Sequence, residues 1–435
     1  MTIQTLDAWT PFRIGDIELS HRVVLAPLTR NRATKSDRYP STWVPNDLMK
    51  EYYEQRATPG GLLITEATPV SLRASGYPGV PGWFTPEQPS AWIPIIDSVH
   101  AKGGYIFAQL WHQGRTTHSM YSGHQPESAS ATPVEGNLRI KNAEMDQKEV
   151  AYETPKEMTV EDIQRTQEEF VSAALKAREV GFDGIEIHAG NGYLFDQFHH
   201  SNINTRTDQY GGSFPNRCRF TLETVTKLCS AICANKVAVR LTPFGLFNQT
   251  FGEKRVEQWT YLCEELSKFG LAYVHMVEPR FDEFKSAAEK QSFLEGMALA
   301  SSPGAASATA KTPAGKTDNG VLESDSNPVS VPLQAISLQP FREVLGSTPL
   351  MVAGGYGPDN LHEGIQKGEH DLVAFGRYYT ANPDLVSRLK SGEPLYKWDR
   401  SRFYGPFEDN EIGYTVFPKR EYASDQDRLK AQLAD

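Results

Sequence analysis

Residues 181–212, GFDGIEIHAGNGYLFDQFHHSNINTRTDQYGG, hold the densest group of side chains able to do chemistry in this 435-residue chain. His188 and Asn191 offer two N–H donors three residues apart. Two donors converging on one oxygen would polarise a carbonyl, the logic of an oxyanion hole. Tyr193 adds an O–H beside them, suited to handing over a proton as a carbanion or enolate forms. Each residue alone has a plainer reading: a histidine satisfied in the core, a turn asparagine, a tyrosine at an interface. All three at the end of one strand are less easily an accident.

That strand is residues 184–188, GIEIH, a short apolar run bounded by Gly and Asp. Alternation puts Ile185 and Ile187 on one face and Glu186 and His188 on the other, and two polar residues make the second face poor as ordinary core. Seven further runs have strand character: residues 22–27 (RVVLAP), 61–67 (GLLITEA), 104–111 (GYIFAQLW), 236–243 (KVAVRLTP), 271–278 (LAYVHMVE), 349–354 (PLMVAG) and 371–377 (DLVAFGR). Helical spacing fills residues 46–58, 90–102, 159–180, 215–235, 256–269 and 358–367. Thr159 followed by Asp162 resembles a capping box with the shorter acid. Strands alternating with helices predict an α/β fold with a parallel sheet, and eight units predict closure into a (β/α)8 TIM barrel with loop insertions. A doubly wound open sheet is the competing arrangement.

A barrel assembles its site from the C-terminal ends of its strands. Gly354 and Gly355 follow the seventh run, and Gly376 with Arg377 ends the eighth. Bare backbone N–H groups and a cationic fork there suit a phosphate, although tight turns and surface pairing explain the same residues equally well. Arg240 ends the fifth run, where a cation is costly unless paired or opposed to bound negative charge. It suits a substrate anion, a reduced flavin ring, or a structural ion pair with Glu186. Gln109 and Thr29 could hydrogen-bond a heteroaromatic ring. No carboxylate pair at glycosidase spacing, no G-x-S-x-G and no H-E-x-x-H is present.

Hydrophobic residues make up 39% of the chain and charged residues 23%, enough apolar material for a sizeable core. A net charge of −10 with no basic stripe argues against nucleic-acid binding. Cys218, Cys229, Cys233 and Cys263 lack paired CxxC spacing, so neither a metal site nor a disulfide framework is expected. No run approaches ~18 apolar residues, so no membrane span is expected. The opening MTIQTLDAWTPF has no signal-peptide pattern and the closing AQLAD no receptor-read address, leaving the cytoplasm as the expected location. Three stretches break the strand–helix rhythm. Residues 11–20 (PFRIGDIELS) suggest a hairpin closing the barrel floor. Residues 112–158 suggest a loop capping the site. Residues 285–332, rich in Ala, Ser, Gly, Pro, Thr and Lys, suggest a flexible insertion with a short helix near 289–299. One barrel domain over residues 1–420 and a polar tail over 421–435 complete the expected layout.

With those residues in view, the chain resembles the old yellow enzyme family of FMN-dependent ene-reductases. The resemblance is carried by HAGNGYLFDQF (188–198) running into NTRTDQYGGSFPNRCRF (204–220). APLTR (26–30), AQLWHQGR (108–115), VRLTPFG (239–245) and AFGRYYTANPDL (374–385) support it. It implies non-covalent FMN, with Pro27, Thr29, Ala67, Gln109 and Arg240 around the flavin ring and Gly355, Gly376 and Arg377 at its phosphate. It further implies that His188 and Asn191 hold an enone or enal carbonyl, that Tyr193 protonates the α carbon, and that Trp111 and Tyr404 shape the substrate cavity. Hydride would pass from flavin N5 to the β carbon, with NADPH as reductant, in a ping-pong cycle. The His-x-x-Asn form is nearer the yeast and fungal branch than the plant oxophytodienoate reductases. A monomer or homodimer is expected. An FMN-dependent isomerase or dehydrogenase of secondary metabolism, and a non-catalytic flavin-binding protein, are the alternatives.

Overall fold

A computed structural model describes residues 6–141, 147–281, 289–290, 292–294, 336–418 and 421–424. Eight parallel strands form a closed barrel: β1 (Val23–Leu25), β2 (Leu62–Pro69), β3 (Tyr105–Trp111), β4 (Gly184–His188), β5 (Val237–Leu241), β6 (Tyr273–Val277), β7 (Leu350–Ala353) and β8 (Leu372–Phe375). Each pairs with the next in sequence, and β8 pairs with β1, so the open-sheet alternative is excluded.

The period-two alternation of each strand divides the buried apolar residues into two sets. Ile106, Ala108 and Leu110 on β3, Ile185 and Ile187 on β4, and Val237, Val239 and Leu241 on β5 join the large cluster shared with the surrounding helices. Val24, Leu62, Ile64, Phe107, Ala238, Tyr273, Met351 and Leu372 form a second cluster inside the barrel. Ile14 and Leu19 belong to that inner cluster and come from the expected hairpin, Phe12–Ile14 paired antiparallel with Ile17–Leu19. The hairpin therefore closes the barrel floor. Each fully buried aliphatic side chain contributes about 1.5–3 kcal/mol, so a sealed floor is worth several such terms.

Helix Val160–Glu179 begins with the capping box foreseen in the sequence: Asp162 N–H donates to Thr159 Oγ1 at 3.1 Å, and Thr159 N–H to Asp162 Oδ2 at 3.0 Å. Helix Phe214–Ile232 is capped by Ser213. Two expected boundaries move for local reasons. The first strand run extends to Pro27 in sequence, but β1 stops at Leu25, since a proline has no N–H for the ladder. The helical run at 358–367 shrinks to Glu363–Lys367 because Asn360 satisfies the preceding backbone itself, accepting from Gly357 N–H (2.8 Å) and donating to Gly355 O (3.0 Å).

The 112–158 excursion is tied down. Glu127–Ser128 pairs with Lys156–Glu157, and Asn137–Lys141 with Gln147–Ala151. Most of the 285–332 insertion and of the 421–435 tail lies outside the described residues. Residues 289–290 and 292–294 are helical, and Phe293 lies 5.6 Å from Phe251, ring to ring. Cys218 and Cys263 are core residues and Cys233 is exposed. No helix among the described residues is long and apolar enough to cross a membrane.

Candidate active site

On β3 to β6 the interior face turns from apolar to polar as each strand rises. Phe107 gives way to Gln109, Gly184 to Glu186 and His188, Ala238 to Arg240, and Tyr273 to His275. Gly184 has no side chain because the Phe107 ring lies there: a Cβ would sit 2.4 Å from Phe107 Cζ. Register pairs Gln109 with Glu186, His188 with Arg240, and Arg240 with His275.

Glu186 is fully buried. Gln109 Nε2–H donates to its Oε1 at 2.7 Å, and His275 Nδ1 lies 3.0 Å from its Oε2. An ionised carboxylate only accepts, so His275 carries its proton on Nδ1. Burial alone would push the Glu186 carboxyl up. His275, the charge of Arg240 and the Gln109 amide more than offset this, and the group is held below its ordinary range. The ion pair considered for Arg240 and Glu186 is thus a three-way arrangement, with both carboxylate oxygens already bonded to Gln109 and His275.

His188 stands one step above. Burial, reinforced by the charge of Arg240, holds its imidazole well below the ordinary histidine value, so it is neutral at neutral pH. A neutral ring has one N–H to give. Its Nδ1 is buried without a hydrogen-bond partner. The Tyr193 ring meets His188 edge to face at 4.9 Å and 76°, and meets Trp111 at 4.9 Å and 83°. Tyr77 continues the aromatic wall, 5.8 Å from Trp111. Asn191 sits at φ 57°, in the left-handed region. Tyr404 stays 59% exposed, near enough to Tyr77 to act on its hydroxyl.

The other side of the barrel is built from small residues. Ala353 and Ala374 on β7 and β8, and Ala26 just past β1, belong to the inner cluster. Ala67 follows a register irregularity in β2 and clusters with Val80 and Trp111, against Tyr77 and Tyr193. Pro27 is buried and Thr29 half-buried just past β1. After β7, Gly354 and Gly355 take φ 108° and 75°, and a Cβ on Gly355 would lie 3.1 Å from Arg280 Nε. Arg280 donates to Gly354 O at 3.3 Å and lies over the Tyr356 ring. Gly376 caps the short helix Arg377–Ala381, and Arg377 lies 4.8 Å from the centroids of both Phe281 and Trp398.

The fold therefore brings the sequence-predicted residues to one end of the barrel in three groups: His188 at the end of β4 with Asn191 and Tyr193 just after it, a polar arc on β3 to β6, and a glycine turn flanked by guanidinium groups beyond β7 and β8. A flat heteroaromatic ring carrying a phosphate, as in FMN, matches that donor set and the room left by the alanines. His275 and Arg280 escaped the sequence reading. His275 could have been found, since alternation places it on the same face of its run as Tyr273.

The match to known proteins is extensive. The model of the NADH:flavin oxidoreductase / NADH oxidase family matches residues 7–313. A flavin oxidoreductase of Emericella nidulans, hxnT, is 42% identical over 417 residues, covering 94% of this chain and 97% of the relative. 12-oxophytodienoate reductase 2 of Arabidopsis thaliana is 37% identical, covering 96% of this chain and 97% of its own. Among solved structures, morphinone reductase superposes with a TM-score of 0.77 at 33% identity, covering 96% of this chain and 97% of that one. An old yellow enzyme homologue from Zymomonas mobilis gives a TM-score of 0.77 at 31% identity, covering 95% of this chain and 100% of that one. With this barrel and these strand-end residues, the chain belongs to the NADH:flavin oxidoreductase / NADH oxidase family, the old yellow enzymes, and is an FMN-dependent oxidoreductase.

Proposed function

We propose that this protein reduces the C=C bond of α,β-unsaturated carbonyl compounds. When bound, FMN supplies a hydride from N5 to the β carbon and is restored by NADPH. Gln109 and Arg240 address the ring, with Thr29, Pro27 and Ala67 around it, and Gly355, Gly376 and Arg377 take the phosphate. His188 and Asn191 hold the substrate carbonyl oxygen, withdrawing charge from the alkene and stabilising the enolate oxygen as it develops. Tyr193 O–H delivers the proton to the α carbon. Trp111 and Tyr404 bound the cavity.

The observation that carries this reading is the grouping of a neutral buried His188 with Tyr193, 4.9 Å apart ring to ring, directly above the polar arc. A neutral imidazole still has one N–H to donate to the carbonyl oxygen. Retention of Tyr193 supplies the proton that net reduction needs and isomerisation does not. The family description names NADH, and one related solved structure is morphinone reductase with tetrahydroNAD, so both nicotinamides belong in the test.

The test is an anaerobic visible spectrum. The flavin bands should bleach with NADPH, faster than with NADH, and return on adding 2-cyclohexenone, with one NADPH consumed per enone reduced. His188→Ala should keep its flavin and reoxidise about 100-fold more slowly or worse. Bleaching that the enone cannot reverse would sink the reductase reading and favour an isomerase or dehydrogenase.

A further inference from the structure

Beneath the loop that carries Asn191 and Tyr193 lies a buried set of polar groups with no part in the chemistry above. Asn191 holds a left-handed backbone, φ 57°, which a residue with a Cβ adopts only when its surroundings over-determine it. Three contacts do so. Asn191 N–H donates to Thr242 Oγ1 at 2.7 Å, Asn191 O accepts from Asn248 Nδ2 at 2.8 Å, and the next peptide, Gly192 N–H, donates to Asp196 Oδ2 at 2.8 Å. Thr242 Oγ1 in turn lies 3.4 Å from Asp196 Oδ2, so a single hydroxyl joins the end of β5 to the loop after β4. Thr242 and Asp196 are 2% and 0% exposed.

The carboxylate suits this task. Burial would raise its pKa, but His200 and His199 beside it hold it far below the ordinary range, and Arg255 adds a nearby cation. It is therefore an acceptor at any working pH. Gly192 is glycine for a related reason: at φ 71° a Cβ would lie 2.6 Å from Asn248 Cβ and 2.8 Å from Phe247 O. The backbone of this loop is thus held by Thr242 at the end of β5 and by Asp196 and Asn248.

We infer that Thr242 and Asp196 are positioning residues that aim Asn191 and Tyr193 at the substrate carbonyl and α carbon. Neither touches substrate. The Thr242 hydroxyl sets the peptide from which the Asn191 side chain projects, and Asp196 sets the peptide that leads into Tyr193. This inference rests on the ene-reductase reading above. Displacing a reacting group by about 1 Å costs roughly 100-fold in rate, so the clamp is felt in catalysis before it is felt in folding.

The test compares wild type, Thr242→Val, Thr242→Ser and Asp196→Asn as FMN holoenzymes. A para-substituted phenol serves as the probe, its oxygen standing for the carbonyl oxygen, and binding is read from the flavin spectrum. The other readout is reoxidation by 2-cyclohexenone after dithionite reduction. Thr242→Val and Asp196→Asn should each weaken phenol binding and slow reoxidation by about 10- to 100-fold with full FMN content, and Thr242→Ser should restore both to within about 3-fold. Wild-type phenol affinity in Thr242→Val would overturn the inference. So would loss of FMN in step with loss of affinity, since the residue would then be holding the barrel and not aiming the loop. A wild-type protein that neither binds phenol nor reoxidises with the enone would instead overturn the ene-reductase reading, and this inference with it.

Discussion

The two halves of the barrel rim are built on opposite plans. Strands β3 to β6 end in Gln109, Glu186, His188, Arg240 and His275; Glu186 bonds Gln109 and His275, and register sets Arg240 beside both His188 and His275. On the other side, β7, β8 and β2 carry Ala353, Ala374 and Ala67, and Ala26 follows β1. One half lines the interior with polar side chains and the other with small apolar ones. The difference shows why a barrel with a continuous apolar floor can carry a polar site. Glu186 is fully desolvated, yet both its oxygens are bonded, while His188 Nδ1 and His275 Nε2 stay buried without a hydrogen-bond partner.

The contrast can be broken on either side. The largest effect is expected at Tyr193, which extends the polar half. Tyr193→Phe removes only the O–H and should lower enone-driven reoxidation about 100- to 10,000-fold, with flavin content and its reduction by nicotinamide unchanged. Stopped-flow measurement of the two half-reactions separates them, and equal slowing of both would contradict the assignment of the proton donor. On the alanine half, Ala67→Leu should fill the space kept beside Trp111 and Tyr193. Overpacking of this kind costs about 1–3 kcal/mol, expected here as roughly 10- to 100-fold weaker FMN binding by fluorescence titration. Wild-type affinity would show that the alanines are not what makes room for the ring.

A smaller effect is expected at Glu66, on β2 where the halves meet. Burial, opposed by the charges of Arg30 and Arg32, pushes its carboxyl up to about 8 from the ordinary 4.5. The folded state then binds the proton more tightly than the unfolded chain. Its contribution to stability is complete below about pH 4.5 and is lost as pH rises through about 8. Glu66→Gln should remove that loss, so its Tm should fall less than that of wild type between pH 6.5 and 9. Parallel Tm profiles for the two proteins would mean that Glu66 is already ionised in the fold.

Much of this was legible in one dimension. The eight strands announce themselves as apolar runs closed by Gly, Asp or Pro, and the capping box at Thr159 and Asp162 forms as its spacing suggests. The order His188, Asn191, Tyr193 marks the site because all three lie within one turn of chain. His275 was harder to see, since it lies 89 residues from the Glu186 it bonds, and only strand register makes them neighbours. Thr242 and Asp196 looked like ordinary members of a strand end and a short helix. Their hydrogen bonds run to backbone N–H groups, which carry no sequence signature. Arg280 sits beside Gly354 and Gly355 through a crossing of two loops more than 70 residues apart.

Alone, the sequence determined the alternation of each strand, the count of βα units, and the residue types at each strand end. Those are properties of a backbone with a period of two and of side-chain chemistry, and neither depends on what lies across the barrel. Tertiary structure decided which strand ends face one another, that the rim divides into a polar and an alanine half, and that Asn191 is held in a left-handed conformation from β5. These depend on the register of β3 through β6. Register is set by packing of the inner and outer clusters together, and no short window of sequence contains it.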